Sequence, residues 1–192
     1  YVVVQLPLHP GTLLDLWQET QRFKADYLNK FPGYYFSGDG GFIDEDGFVY
    51  ITGRVDDVIN VAGHRLSTAE MEEIVASHHS VAECAVIGVN DELKGQAPLA
   101  LVVTKSGETI EHFQLEQEIV QLVRQQIGAV ASMRNVVMVN RLPKTRSGKI
   151  LRKLLRSIAD GAVFQVPSTI DDETIIDEIK ESLEKYAMGK AK

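Results

Sequence analysis

Cysteine and long apolar runs are nearly absent from this sequence, and both absences narrow what the protein can be. The one cysteine among 192 residues, Cys84, has no partner for an internal disulfide, and its surroundings, VAECAVIGV, indicate a buried structural thiol. No apolar run approaches the roughly 18 residues that a membrane span needs. The opening residues, YVVVQLPLHP, carry neither the charged segment nor the cleavage site of a targeting peptide. We therefore expect a soluble, globular protein in a reducing compartment, with no membrane partner.

The apolar pattern changes near residues 54–57, where we expect a domain boundary. Before it lie short β-like runs, with Asp46-Gly47 between alternating apolar residues like a hairpin turn, and one predicted helix over 13–28. After it, strands alternate with helices, and Ser67 with Glu70 forms a capping box. Further helices are predicted over 110–127, 150–158 and 171–186. This order predicts an α+β fold, with a mixed sheet flanked by helices in a small domain that follows a partial β subdomain.

A basic block stands out against the formal net charge of -7. It contains cationic residues and no acidic one, namely Arg141, Lys144, Arg146, Lys149, Arg152, Lys153 and Arg156. Most such runs are solvated helix faces, and we expect this of Arg152, Lys153 and Arg156. Lys149 differs, because PKTRSGK puts a proline and a Ser-Gly ahead of the predicted helix, so this lysine lies on an irregular segment. The segment lacks the glycine and serine spacing of a Walker A loop, but its lysine can still be directed at a phosphate.

Two further segments combine glycine with charge. In YYFSGDGG a strand-like run ends at Asp39 among glycines, which permit close approach of a ligand. A carboxylate there can accept hydrogen bonds from two ribose hydroxyls, although a plain turn has the same composition. The segment TGRVDDVINVAGHRLSTAEMEE contains Arg54 and Arg65, with Asp56 and Gly63 between them. A single arginine in such a loop is usually an ordinary surface residue.

Taken together, in this order, the three segments resemble the late motifs of the adenylate-forming superfamily of acyl-CoA synthetases, nonribosomal adenylation domains and luciferases. KGQAPLALVV, QQIG and PKTRSGKILRKLLR are most similar to the short-chain acyl-CoA synthetases. The resemblance implies that residues 1–55 end the large adenylate-forming domain and that residues 56–192 form the mobile C-terminal lid. The superfamily's phosphate loop and acyl pocket lie upstream of these motifs, so the sequence is expected to be a C-terminal fragment, inactive alone, that works with a missing N-terminal domain.

The resemblance also implies a chemistry, in which a short carboxylic acid reacts with ATP and Mg²⁺ to give an acyl-adenylate, and the acyl group then passes to coenzyme A. Lys149 matches the catalytic lysine. Asp39 and Arg54 match residues that contact the ribose, and Arg65 matches one that faces the phosphate. Asp56 falls at the hinge about which the lid rotates between the two half-reactions.

For coenzyme A, the resemblance implies that Ala62 and Gly63 line the pantetheine tunnel and that Arg124 meets a nucleotide phosphate. His78 matches a position near which some relatives hold a structural cation, although the pair His78-His79 lacks the i, i+4 spacing of a helical metal site and is more typical of a helix end. Propionate and acetate are the expected acids, and the mitochondrial matrix is the expected location.

Two alternatives remain open from the sequence. The first is an adenylation domain that hands its acyl group to a carrier protein instead of coenzyme A. The second is a non-catalytic binding module that kept the lid fold. The first is expected to be followed by a carrier domain with a modifiable serine, whereas this sequence ends in an acidic helix. The second is expected to lose Lys149 or Asp39 first, and both are in place. No nucleic-acid partner is expected.

Overall fold

The chain folds into two compact units, with the boundary between Asp57 and Val58. The computed structural model describes residues 1–190, and the side chains of residues 1–187. The first unit ends at Asp57, and the second begins at Val58. The change of apolar pattern near residues 54–57 therefore coincides with a change in packing.

The first unit consists of two separate antiparallel strand pairs and one short helix. Its elements are β1 (Val3–Gln5), α1 (Thr20–Phe23), a π-helical turn (Lys24–Leu28), β2 (Tyr34–Phe36), β3 (Asp39–Ile43) and β4 (Val49–Arg54). β1 pairs with β2, and β3 pairs with β4. The β3–β4 turn forms because the Asp44 carboxylate accepts hydrogen bonds from the backbone N–H groups of Asp46 and Phe48, and Gly47 takes a positive φ of 87°. The predicted hairpin is confirmed.

The helix predicted over residues 13–28 is wrong in its first half, because regular helix begins only at Thr20. Gln18 has a positive φ of 57°, which interrupts a right-handed helix. Leu14 and Trp17 are 85% and 88% exposed, so the apolar residues that suggested a helical stripe have nothing to pack against within the described chain.

The second unit is built on a five-stranded mixed sheet. Its strands are β5 (Val58–Val61), β6 (His64–Ser67), β7 (Val81–Asp91), β8 (Gly95–Thr104) and β9 (Asn135–Met138). The order is β6-β5-β8-β7, with antiparallel neighbours, and β9 joins β8 in parallel. The predicted α+β class with a mixed sheet is confirmed.

Helices cover both faces of this sheet. They are α2 (Thr68–Ala76), α3 (His112–Gln126), α4 (Arg152–Ala159) and α5 (Ile175–Lys190), with a 3-10 turn at Ala129–Ala131. The Ser67 hydroxyl accepts a hydrogen bond from the Glu70 N–H at 3.3 Å, as the capping box predicts. Over residues 1–190, none of these helices has the length and apolar character required to cross a membrane.

Two apolar clusters lie on opposite sides of the sheet. Along β8, Ala100 and Val102 belong to the cluster beneath α2 and α3, whereas Leu99 and Leu101 belong to the one beneath α4 and α5. Because both faces are buried, β7 and β8 have continuous apolar runs rather than an alternation of apolar and polar residues. Leu155 of α4 is fully buried in the second cluster, which stabilises the unit by about 2 kcal/mol relative to an exposed leucine.

Candidate functional site

Asp39 and Arg54 are cross-strand partners at the open end of the β3–β4 hairpin. Direct partners in an antiparallel pair project to the same face, and Nη1 of Arg54 lies 3.6 Å from Oδ1 of Asp39. The same nitrogen donates to the Ser37 carbonyl oxygen at 3.0 Å, while Nε donates to Oδ1 of Asp56 at 3.0 Å. Three of the predicted site residues therefore form one group in the first unit.

Gly38 allows the Arg54 guanidinium to lie directly against the backbone. Its φ is 84°, and a Cβ atom there would stand 2.6 Å from both terminal nitrogens of Arg54. The hydrogen bond to Asp56 raises the pKa of Arg54 above its usual value, so the guanidinium is charged at any physiological pH. Among the described residues, the Asp39 carboxylate accepts no hydrogen bond, which leaves its oxygens available to hydroxyl groups.

Ala62 and Gly63 form the two-residue turn between β5 and β6. Both have positive φ, 48° and 89°, as a type I′ hairpin turn requires. The Ala62 N–H donates to the Lys94 carbonyl oxygen at 2.8 Å, so the turn is held against the loop that joins β7 to β8. A Cβ at Gly63 would meet no described atom within 4 Å. Arg65 is exposed on β6 opposite Asn60, two residues beyond the turn.

Arg124 lies in the last turn of α3 beside a cavity of about 370 Å³. The side of the cavity opposite the helix is formed by residues 128–134, where Gly128 and Ser132 both have positive φ, 104° and 50°. Arg134 lines the same cavity, so two arginine residues border one concave surface. That arrangement attracts anions.

Lys149 lies between β9 and α4, outside both elements. α4 begins at Arg152, so the prediction that Lys149 precedes the helix and does not lie on its face is confirmed. The side chain is exposed, and its ammonium forms no ion pair with the rest of the described chain. It is therefore free to bind an external anion.

His78 is 8% exposed at the end of α2, and its Nε2 lies 2.8 Å from Oε2 of Glu118. Hydrogen bonds from Gln114 and His78 hold the pKa of the Glu118 carboxyl below its usual value. Ligand atoms of His78, His79 and Glu118 all lie within 4.8 Å of one another. Two imidazoles and one carboxylate suit a transition-metal ion, whereas Mg²⁺ prefers oxygen ligands, so these residues do not fit the magnesium of an ATP complex. His78 as a metal ligand stays a prediction.

Comparison with known proteins supports the resemblance to the adenylate-forming superfamily. Residues 70–149 match the model of the AMP-binding enzyme C-terminal domain. Acyl-CoA synthetase short-chain family member 3, mitochondrial, of Homo sapiens is 50% identical over 184 residues, which are 96% of this chain and 27% of that protein. The chain is therefore similar to members of the adenylate-forming superfamily, and residues 70–149 match their C-terminal domain. An uncharacterized protein of Pseudomonas aeruginosa is 62% identical over 188 residues, which are 98% of this chain and 30% of that protein.

A solved member of the superfamily has the same fold. ATP-bound MatB from Rhodopseudomonas palustris superposes with a TM-score of 0.65 at 28% identity, over 77% of this chain and 28% of that one. The chain thus spans less than a third of the length of each of these relatives. The family model lies within the second unit and ends at Lys149.

One prediction about the basic block, residues 141–156, is wrong. Arg152 is not on a solvated face, because its Nε and Nη2 donate to the two carboxylate oxygens of Glu72 at 2.9 and 2.7 Å. Glu72 on α2 also accepts from the Val86 N–H at 2.9 Å, so the pair joins α4, α2 and β7. In Arg156 the Nε atom is buried and has no hydrogen-bond partner in residues 1–190, whereas Lys153 is exposed as expected.

Sequence reasoning missed some partners of the predicted site residues. The hairpin predicted around Asp46-Gly47 brings positions 39 and 54 close together, but their direct pairing depends on a register shift between Gly40 and Gly41 that the sequence pattern does not specify. Arg134 beside Arg124 and Glu118 beside His78 had no such signal, because these contacts depend on how separate elements pack.

Proposed function

We propose that this chain is the C-terminal part of a short-chain acyl-CoA synthetase. The whole enzyme activates a short carboxylic acid, propionate or acetate, with ATP and transfers the acyl group to coenzyme A. Residues 1–55 belong to the large adenylate-forming domain, and residues 56–192 are its mobile lid. The relatives, which are more than three times as long as this chain, support the division by leaving room for an N-terminal domain that carries the phosphate loop and the acyl pocket.

The exposed, unpaired ammonium of Lys149 is the observation that carries this proposal. In the first half-reaction a carboxylate oxygen attacks the α-phosphorus of ATP, and the bond to pyrophosphate breaks. Both reactants are anions, so a fixed cation between them offsets their repulsion and stabilises the charge of the transition state. Lys149 is an ammonium that no carboxylate of the described chain neutralises.

Asp39 and Arg54 hold the ribose in this proposal, and Arg65 faces the phosphate. Two ribose hydroxyls donate to the Asp39 carboxylate, whose oxygens accept no hydrogen bond from residues 1–190. Arg54 sets the position of that carboxylate through their ion pair, and it is itself fixed by Ser37 and Asp56. Mg²⁺ would accompany the ATP phosphates and help to neutralise their charge.

In the second half-reaction the lid rotates about Asp56, one residue before the end of the first unit. The coenzyme A sulfur attacks the acyl carbonyl, and AMP leaves. Ala62 and Gly63 line the pantetheine tunnel, where the empty space around Gly63 admits a ligand. Arg124 binds a phosphate of the nucleotide at the cavity that it shares with Arg134.

The chain alone is expected to be inactive, because it contains neither a phosphate loop nor an acyl pocket. The human relative is named as a mitochondrial protein, whereas the relative that is 62% identical comes from a bacterium, which has no mitochondria. The mitochondrial matrix therefore stays a prediction. Transfer to a carrier protein is the competing reading, and it predicts no activity with coenzyme A.

The decisive experiment is a half-reaction assay on the full-length enzyme with Lys149→Ala. Acyl-adenylate formation should fall by at least about a hundredfold, while thioester formation from supplied acyl-adenylate and coenzyme A persists. Lys153→Ala is the matched control, since it removes an exposed cation four residues away and should change neither half-reaction. Equal losses in both halves, or equal damage from Lys153→Ala, would contradict the assignment of Lys149.

A further inference from the structure

Lys149 closes a tight hairpin rather than a loose loop. The Leu151 N–H donates to the Pro143 carbonyl oxygen at 2.8 Å, and the Thr145 N–H donates to the Lys149 carbonyl oxygen at 2.8 Å. The Gly148 N–H donates to the Thr145 carbonyl oxygen at 2.8 Å, and Gly148 has a φ of 84°. A three-residue turn with glycine in the left-handed position is a common way to close a hairpin. The backbone of Lys149 therefore has a defined position.

The Thr145 side chain adds a contact that the hairpin itself does not require. Its Oγ1 accepts a hydrogen bond from the Lys149 N–H at 3.1 Å and lies 2.9 Å from the hydroxyl oxygen of Ser147. Both backbone polar groups of Lys149 are thus bonded to one residue, Thr145. The side chain of Lys149 is exposed, so these bonds are what fixes the root of the flexible lysine chain.

A segment further along the chain pairs with the first arm of this hairpin. The Arg146 N–H donates to the Thr169 carbonyl oxygen at 3.1 Å, and the Asp171 N–H donates to the Lys144 carbonyl oxygen at 2.9 Å. Between them, Ile170 is 4% exposed and belongs to the cluster beneath α4 and α5. The hairpin is anchored to the core through this buried residue.

Arg141 joins the base of the hairpin to the same segment. It donates to Asp172 at 2.6 Å, to the Thr174 hydroxyl at 2.8 Å and to both carboxylate oxygens of Glu178 on α5. Hydrogen bonds from Arg141 and Thr174 lower the pKa of Asp172 to about 2, and Arg141 also lowers the pKa of Glu178. Both carboxylates are therefore ionised at neutral pH, and a network of this kind holds its geometry better than an isolated surface pair.

We infer that Thr145 is a positioning residue for Lys149, and that the segment 169–178, tied to Arg141, keeps the hairpin in place for adenylation. This inference rests on the proposed function, because it assumes that Lys149 acts on the carboxylate and the α-phosphate. A lysine has four rotatable side-chain bonds, so only its backbone can be prearranged. A displacement of about 1 Å in such a group can cost about a hundredfold in rate.

Measuring the two half-reactions separately distinguishes a change in the position of Lys149 from a loss of stability of the whole lid. Under the proposed function Lys149 takes no part in thioester formation, so a loosened hairpin slows only the first step. Damage to the fold of the lid would instead slow both steps, because the lid also carries Ala62, Gly63 and Arg124.

The test compares Thr145→Val, Thr145→Ser and Asp172→Asn in the full-length enzyme. Thr145→Val keeps the shape of the side chain and removes the acceptor, so kcat for acyl-adenylate formation should fall about 10- to 100-fold, with KM for ATP and thioester formation nearly unchanged. Thr145→Ser restores the hydroxyl and should recover most of the rate. Asp172→Asn weakens the outer contact and should cost about 3- to 10-fold in the same step. Equal losses in both steps, or no recovery with serine, would overturn the inference.

A second readout does not depend on catalysis. Trypsin cleaves after Lys144, Arg146 and Lys149, so native limited proteolysis with mass spectrometry reports how firmly the hairpin is held. Cleavage should rise several-fold in Thr145→Val and not in Thr145→Ser. If Thr145→Val left cleavage unchanged, or if it loosened the hairpin and adenylation stayed normal while Lys149→Ala abolished it, Thr145 would not be a positioning residue. If Lys149→Ala also left adenylation normal, the proposed function would fall, and the inference with it.

Discussion

The two units of the chain differ in how they bury their apolar side chains. Within the described residues, the buried apolar residues of the first unit are Phe23 and Phe36, whereas the second unit has a sheet covered on both faces. The β3–β4 hairpin instead exposes apolar residues, including Phe42 and Tyr50, which stack at 5.0 Å between ring centroids. Patches of this kind normally mark a surface that another element covers. The second unit therefore has its own core, whereas the first buries few apolar side chains and exposes many.

This difference corresponds to the proposed division of labour. The residues assigned to the ribose, Asp39 and Arg54, lie in the first unit, which the proposal assigns to the large domain. Lys149 and the residues proposed to contact coenzyme A lie in the second unit, which has its own core. A lid that rotates as a body needs such a core, because its catalytic groups must keep their mutual geometry in both poses.

Truncation of a buried side chain in the second unit is expected to have the largest effect on stability, and no comparable effect is expected in the first unit. Leu155→Ala leaves a cavity beneath α4 and should lower the unfolding free energy of the second unit by about 2–5 kcal/mol. Urea unfolding monitored by far-ultraviolet circular dichroism measures this loss. Ile51→Ala in β4 is the matched control, because Ile51 is 58% exposed and the change should cost less than about 1 kcal/mol. Similar losses for the two variants would remove the contrast between the units.

Two glycine substitutions are expected to have smaller effects, and they test the residues proposed to hold the ribose, Asp39 and Arg54. Gly38→Ala and Gly63→Ala both place a Cβ on a backbone with positive φ, which costs about 1–2 kcal/mol each. At Gly38 the Cβ also displaces the Arg54 guanidinium from Ser37 and Asp56, whereas at Gly63 it meets no described atom. We expect KM for ATP in the full-length enzyme to rise about tenfold for Gly38→Ala. Gly63→Ala should leave that KM unchanged, and a comparable rise there would contradict the role of Arg54.

The strands and the order of the motifs could be predicted because each depends on residues that are close in sequence. The runs in β7 and β8, the cap at Ser67 and the hairpin at Asp46-Gly47 all follow from local pattern and turn chemistry. The helix over 13–28 failed because its apolar side chains find no packing partner, which no helical periodicity can reveal.

Contacts between distant elements limited the prediction of the site. Arg152 pairs with Glu72, eighty residues away in the sequence. Because this partner is not visible locally, the sequence predicted an ordinary solvent-exposed helix residue. The Thr145 hydroxyl bond has a local cause, yet the sequence shows only that a threonine is present. Arg141 binds an acidic segment more than thirty residues later, and this contact explains part of the basic block without any ligand.

The Cys84 thiol is expected to have the smallest effect on stability near neutral pH, and its reactivity is a direct probe of the second unit. Burial raises the pKa of its thiol to about 12, so below pH 9 the folded protein holds it as a neutral, unreactive thiol. Because the folded pKa lies above that of an unfolded cysteine, the thiol's contribution to stability is complete below about pH 8.5 and declines as the pH rises from there toward 12. Stability should therefore be insensitive to this group between pH 6 and 8.

At pH 8, iodoacetamide should label the native protein at least about a hundredfold more slowly than the urea-unfolded chain. Since Cys84 is the sole thiol, its labelling reports the opening of the second unit alone. Leu155→Ala should accelerate labelling about 30-fold or more, as a loss of 2 kcal/mol implies, and Ile51→Ala should leave it unchanged. Rapid labelling of the native protein would show instead that the core around Cys84 opens far more often than its burial implies.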